Sequence, residues 1–179
     1  MPQPVLIGGG TMTELIQTPA ASFAGKVFTT EDLDELNTFA QCWRDFEAAG
    51  YWPQLDALTD TPNRSYLLVF SPYGAFQYWV GALLPAMAQV PAGLTNFKLP
   101  AATVASTSEK TNRLLADMPV EVSYMKGMAE LESAGFPLPE HIGQTDWPYY
   151  VESFAVNSAT ITHRLYVNPD QLEGYDEYD

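Results

Sequence analysis

Cysteine is almost absent. Cys42 is the only one among 179 residues. That excludes a disulfide within the chain and a cysteine-rich metal site. Histidine is nearly as scarce: His141 and His163 stand far apart without ligand-like spacing, so neither a metal nor a cofactor is expected. Bases number 8 against 22 acids, a formal net charge of −14. They are scattered singly (Lys26, Arg44, Arg64, Lys98, Lys110, Arg113, Lys126, Arg164), so no basic stripe exists to neutralise phosphates. Direct nucleic-acid binding is not expected. An acidic chain instead attracts cations, organic ones included. No stretch approaches the roughly 20 apolar residues that span a bilayer, so no membrane contact is expected. The opening MPQPVLIGGG lacks a basic start followed by a long apolar run, which argues against a secretory signal and for the cytoplasm. No GxSxG occurs. IGGGT, Ile7 to Thr11, has neither the lysine nor the strand–loop–helix setting of a phosphate loop, and reads as a turn or a bulge.

What is present suits a packed domain. Hydrophobic residues make up 46% of the chain and aromatics 13%. The clearest helix is predicted over 31–49. Thr29 or Thr30 caps it, and Leu33, Leu36, Phe39, Ala40, Trp43 and Phe46 form one apolar stripe ending at Gly50. Cys42 on that helix reads as a buried structural thiol, and Tyr51–Trp52 as packing residues. SYLLVF (about 65–71) and FQYWVGALL (about 76–83) read as strands around the turn SPYGA. PAMAQVPAGL reads as a linker, and FKLPAATVASTS (about 97–107) as extended. A second helix is expected from near Asp117 to Gly135, with Pro119 in its first turn and Val122, Met125, Ala129 and Leu131 on its apolar face. WPYYVESFAV and ATITHRLYV form a hairpin around Asn157–Ser158. The end of the chain holds Asp170, Glu173, Asp176, Glu177 and Asp179, and reads as a flexible acidic tail over 169–179.

The chain states one arrangement twice. FEAAGY (Phe46 to Tyr51) ends the first helix and LESAGF (Leu131 to Phe136) the second. MTELIQTP precedes the first helix and FKLPAATV the second. Each helix is followed by a Pro-containing loop, a strand, a turn and a strand. The order strand–helix–strand–strand is thus repeated over 1–90 and 91–168, which suits two half-units related by a pseudo-two-fold axis in one compact α+β domain.

WPYYVESF, Trp147 to Phe154, sets a lone carboxylate among four aromatic rings. Strand alternation places Tyr150, Glu152 and Phe154 on one face, and Trp147, Tyr149, Val151 and Ser153 on the other. An acid fits poorly against a helix-packed core, so the face of Glu152 is expected to be the open one. Along FQYWVG, Phe76, Tyr78 and Val80 alternate with Gln77, Trp79 and Gly81. Alternation leaves open which of Tyr78 and Trp79 faces a cleft.

FQYWVG (Phe76 to Gly81), PAGL (Pro91 to Leu94), FKLPAATVAS (Phe97 to Ser106), the helix ending at Gly135 and YYVESF, taken in order, resemble the GyrI-like small-molecule-binding domains, which also serve as effector-binding domains of AraC-type and multidrug-responsive bacterial regulators. The resemblance spans about residues 3–168. It implies duplicated strand–helix–strand–strand units in one antiparallel sheet, two helices on one face, and a ligand cleft on the other with an acid at its base, here Glu152. The ligand residues it implies are Glu152, Tyr150, Phe154, Tyr78, Trp79, Phe76 and Trp147. Phe154 stands where the family usually has tyrosine, and Ala102 where glycine is usual.

A carboxylate ringed by aromatic faces favours flat, lipophilic, often cationic compounds, through charge pairing and cation–π attraction. The leading expectation is a protein that binds or senses such a compound. Two other readings follow from the resemblance. One is a hydrolase of reactive small molecules with Glu152 as catalytic general base. The other is a gyrase-inhibitor-like interaction module.

Overall fold

Regular alternation along FQYWVGALLP and its neighbours builds strands, and the strands build one sheet. The computed structural model describes residues 5–7, 11–71, 75–110, 120–133 and 148–167. Nine strands occur there: β1 (Val5–Ile7), β2 (Thr11–Thr18), β3 (Ala21–Phe28), β4 (Asn63–Phe70), β5 (Phe76–Pro85), β6 (Thr95–Leu99), β7 (Ala102–Lys110), β8 (Tyr149–Ala155) and β9 (Thr160–Val167). They form a single sheet of order β1-β2-β7-β9-β8-β4-β5-β3-β6, antiparallel at every pairing. Three helices join them: α1 (Ala40–Ala48), α2 (Tyr51–Asp56) and α3 (Val120–Ser133). None of the described helices is long and apolar enough to cross a membrane.

The duplication is visible in the pairing. In the first half β3 lies beside β5 and β5 beside β4. In the second half β7 lies beside β9 and β9 beside β8. The halves meet where β4 pairs with β8, Tyr66 opposite Glu152. A second junction completes the symmetry. β2 and β3 pair with β7 and β6 in one unbroken register, Thr18 opposite Ala102 and Ala21 opposite Leu99. Between those pairs stand Pro19–Ala20 on one chain and Pro100–Ala101 on the other. Proline lacks the N–H that a ladder needs, so both ladders break and bend at the same level.

The sheet curls. Phe97 of β6 and Tyr149 of β8 are four places apart in the strand order, about 19 Å if the sheet were flat. Their ring centroids are 5.1 Å apart. The face carrying them is therefore concave. Phe23, Leu67, Trp79, Leu99, Val104, Val151 and Tyr166 pack there as one cluster. The opposite face carries the helices. Phe39, Trp43 and Phe46 of the first helical region and Trp52 and Leu55 of α2 pack on Tyr66, Leu68, Tyr78 and Val80, and Met128 of α3 joins the same cluster. Arg64 ties α2 down with a bidentate pair to Asp56 and stacks 4.5 Å from the Trp52 ring.

Several local expectations need correction. The predicted helix over 31–49 is broken. Thr29 closes a capping box on Asp32 around a short 3₁₀ turn, Thr30–Asp32. Asp34 then accepts the N–H groups of Leu36 and Thr38 and the Thr38 hydroxyl, and Asn37 takes a left-handed φ of 60°. These local side-chain bonds displace helical ones. Leu36, expected on the apolar stripe, is exposed. Gly50, at φ 79°, does end α1 as expected and also begins α2. β3 was not foreseen. Its small residues give little β signal, yet Gly25 is demanded by close packing, since a Cβ there would fall 2.0 Å from the Val80 carbonyl oxygen. The stretch over 97–107 is two strands rather than one. On α3 the buried side is Gly127 and Met128 with Tyr124 half-buried, whereas Val122 and Met125 are exposed. Trp147, His141, Asp117, Pro119, Gly135, the glycines of IGGGT and the acidic tail lie outside the described residues.

Candidate functional site

Alternation sends Tyr150, Glu152 and Phe154 of β8 to one face, as expected, and Tyr149 and Val151 to the other. The face is the wrong way round for an open cleft. Glu152 sits on the helix-covered face and is wholly buried. The reason is its neighbours. β9 presents His163 directly opposite Glu152. The imidazole Nδ1 lies 2.5 Å from Glu152 Oε1. The Tyr150 hydroxyl is 2.9 Å from Nδ1 and 3.3 Å from the same carboxylate oxygen. A buried carboxylate with such partners no longer needs solvent.

With the proton on Nδ1, the imidazole donates to Glu152, and the Tyr150 hydroxyl also donates to it. His163 Nε2 points the other way, toward Glu109, 3.8 Å from Oε1. Glu109 also accepts from Lys126 of α3 at 3.0 Å. The imidazole thus lies between two carboxylates. α3 covers the group closely, at a residue without a side chain: a Cβ on Gly127 would fall 2.0 Å from the Tyr150 hydroxyl and 2.9 Å from His163 Nδ1.

Tyrosines extend the cluster along the sheet. Tyr66, opposite Glu152 on β4, stacks on Tyr78 at 5.0 Å, and Tyr78 stacks on Phe39 at 3.9 Å. Tyr78 accepts a bond from Trp43 Nε1 at 2.9 Å. Tyr66 has no such partner: its buried hydroxyl makes no hydrogen bond among the described residues, and neither does Glu152 Oε2. Burial first, then Tyr150 and the Glu152 carboxylate, hold the Tyr66 hydroxyl well above the usual tyrosine pKa. Burial likewise raises Tyr78. Tyr124 of α3 meets Tyr150 edge to face at 5.3 Å. The result is an aromatic enclosure around one carboxylate oxygen and one phenol, set near each other and making no regular hydrogen bond among the described residues.

The expected residues divide as follows. Tyr78, Tyr150 and Phe154 share the face of Glu152, and Phe76 packs at the edge of the same cluster beside Phe70. Trp79 faces the concave side against Phe23 and Phe97, so Tyr78 is the one on the acid's face. No group of three or more His, Cys, Asp or Glu side chains able to hold a metal occurs among the described residues. Two important residues were missed. His163 was within reach of counting: in a hairpin turning at Asn157–Ser158, five residues back from Asn157 is Glu152 and five on from Ser158 is His163. Tyr66 could not be found that way, because its place opposite Glu152 depends on the non-local β4–β8 pairing.

No family model matches the chain, and no curated protein does. Solved structures are similar. One is SAV2435 bound to tetraphenylphosphonium, with a TM-score of 0.61 at 9% identity over 91% of this chain and 98% of that one. Another is the integron cassette protein VCH_CASS2 of Vibrio cholerae, at 0.53 and 18% over 87% of this chain and 95% of that one. A third is the C-terminal domain of EcmrR, at 0.50 and 14% over 88% and 98%. At these identities the likeness is one of fold, and with its two strand–helix–strand–strand halves in one curled antiparallel sheet, the chain has the GyrI-like fold.

Proposed function

We propose that this protein binds small lipophilic cations at Glu152, beneath α3. The observation that carries the reading is the wholly buried Glu152 carboxylate, whose Oε2 makes no regular hydrogen bond among the described residues, with Tyr66, Tyr78 and Tyr150 around it. A cation would pair with that oxygen, and each ring would add about 0.5–2 kcal/mol of cation–π attraction depending on desolvation. The net charge of −14 draws cations toward the molecule. The similarly folded SAV2435, bound to a tetraphenyl cation, supports the same class of ligand.

Entry requires α3 to lift, since Gly127 rests on Tyr150 and His163. Among the described side chains of α3, Val122 and Met125 are exposed, and the contact with the sheet runs through Tyr124, Gly127 and Met128. Elements with little buried apolar surface open at low free-energy cost.

A second reading draws on the Glu152–His163 contact. A carboxylate held on an imidazole is also the pairing a hydrolase uses to activate water, with Tyr150 as a positioning group.

The test titrates the full chain with tetraphenylphosphonium and with the neutral triphenylphosphine oxide, read by tryptophan fluorescence and calorimetry. The cation binds, and Glu152→Gln weakens it at least about tenfold while the neutral compound changes by less than about twofold. Undiminished cation binding by Glu152→Gln sinks the charge-pairing proposal. Time-dependent loss of a strained electrophilic substrate, abolished by the same substitution, selects the hydrolase.

A further inference from the structure

Arg164 has no role in the cluster around Glu152. It follows His163 on β9, so its side chain emerges on the opposite, concave face. There it lies in a cross-strand row between Ser106 of β7 and Val151 of β8, with Tyr166 the next residue on the same side of β9. Its Nε is fully buried and has no hydrogen-bond partner among the described residues. The ion pairs among the described residues use Arg64, Lys126 and His163, and none reaches Arg164. Burial depresses its pKa, and the neighbouring Tyr166 opposes the effect. A guanidinium half-withdrawn from water, with an N–H that lacks a partner and no acid paired to it among the described residues, is a costly arrangement that a bound anion would relieve.

The surroundings suit such a partner. The next row toward the chain reversal carries hydroxyls: Ser108 with Thr162 at 3.0 Å, and Ser153 with Ser65 at 2.7 Å. On the other side stand the rings of Tyr149 and Tyr166, and beyond them Phe97 and Trp79. One fixed cation, flanked by hydroxyls and by aromatic walls, is the donor set for an oxyanion on an aromatic body.

We propose that the concave face is a second binding site, for an aromatic compound carrying a single carboxylate or sulfonate. Two oxygens of the anion take the terminal N–H groups of Arg164, the Ser106 hydroxyl lies alongside, and the aromatic body rests against Tyr149 and Tyr166. The charge of −14 on the molecule repels polyanions, so the ligand bears one charge. This site is separated by the sheet from the one at Glu152, and it stands or falls independently of it.

The probe is 1-anilinonaphthalene-8-sulfonate, with N-phenyl-1-naphthylamine as the same ring system without the sulfonate. Both are titrated against the full chain by dye fluorescence. Arg164→Met should weaken the sulfonate at least about tenfold and the neutral dye by less than about twofold, and Arg164→Lys should restore part of the loss. Equal loss of both dyes, loss of neither, or displacement of the sulfonate by tetraphenylphosphonium overturns the proposal. An independent reading uses the unsubstituted protein: the Arg164 Nε–H resonance should shift on adding the sulfonate and stay still with the neutral dye. A silent resonance at saturating sulfonate overturns the proposal as well.

Discussion

Glu152 Oε1 and His163 Nδ1 lie 2.5 Å apart across the β8–β9 hairpin, with both side chains wholly buried. Removing either partner takes the shortest polar contact from the other in a dry site, leaving Tyr150 as its nearest partner. Glu152→Leu and His163→Leu should each cost about 2–4 kcal/mol of unfolding free energy. The double variant should cost less than the two together, by about 1–2 kcal/mol. Urea unfolding of the four proteins measures this, and strict additivity would show that the two side chains do not act as a pair.

Tyr66 and Tyr78 are stacked neighbours with opposite hydrogen-bond status. Tyr78→Phe strands Trp43 Nε1 and should destabilise by about 1 kcal/mol. Tyr66→Phe removes an unpartnered hydroxyl and should be neutral or stabilising by up to about 1 kcal/mol. The same Tyr66→Phe protein should bind tetraphenylphosphonium more weakly if that phenol helps seat the ligand. A large loss of stability in Tyr66→Phe would contradict its orphan status.

Gly127 is where α3 rests on Tyr150 and His163. A methyl group there meets the Tyr150 hydroxyl, so Gly127→Ala must push the helix outward. The helix-propensity gain of about 1 kcal/mol is set against a clash costing about 1–3 kcal/mol. The expected result is lower global stability, faster amide exchange in α3 and, under the proposed function, quicker entry of the cation. Stopped-flow fluorescence and hydrogen exchange read the last two.

Alkaline pH should weaken the fold. Burial pushes the Cys42 thiol from an ordinary 9.0 up to about 11 and raises Tyr66 and Tyr78 above 10.0. These groups are neutral when protonated, and the unfolded chain releases their protons at the ordinary values. The Cys42 contribution is therefore complete below about pH 9 and lost as pH rises through about 11, and that of Tyr66 and Tyr78 is complete below about pH 10 and declines above it. Urea midpoints at about pH 8 and about pH 10.5 should show the fall. At about pH 8 native Cys42 should also resist alkylation, reacting only once the chain unfolds.

Much of the architecture could be read from the chain, because it is written locally. Turn residues at Asn157–Ser158 and the alternation in YYVESF fix the last hairpin, and Gly50 ends a helix wherever it stands. The repeated strand–helix–strand–strand order gives the α+β fold and its two halves. Glu152 was legible as the lone carboxylate of its strand, and His163 was legible by counting across the hairpin. The short polar residues Asp34 and Thr38 misled the helix reading, since their side-chain bonds compete with helical ones over a few residues only.

The tertiary structure alone decided which way the acid faces. Alternation sorts residues into two faces but is blind to which face the helices cover. That depends on the handed connection between strands and helices and on the distant pairing of β4 with β8. The same non-local pairing sets Tyr66 opposite Glu152, turns Trp79 away and leaves Arg164 facing the concave side. A lone carboxylate looked like a surface residue because isolated charge belongs in water. It is buried because His163 and Tyr150 meet it there, a meeting that the pairing of β8 with β9 produces.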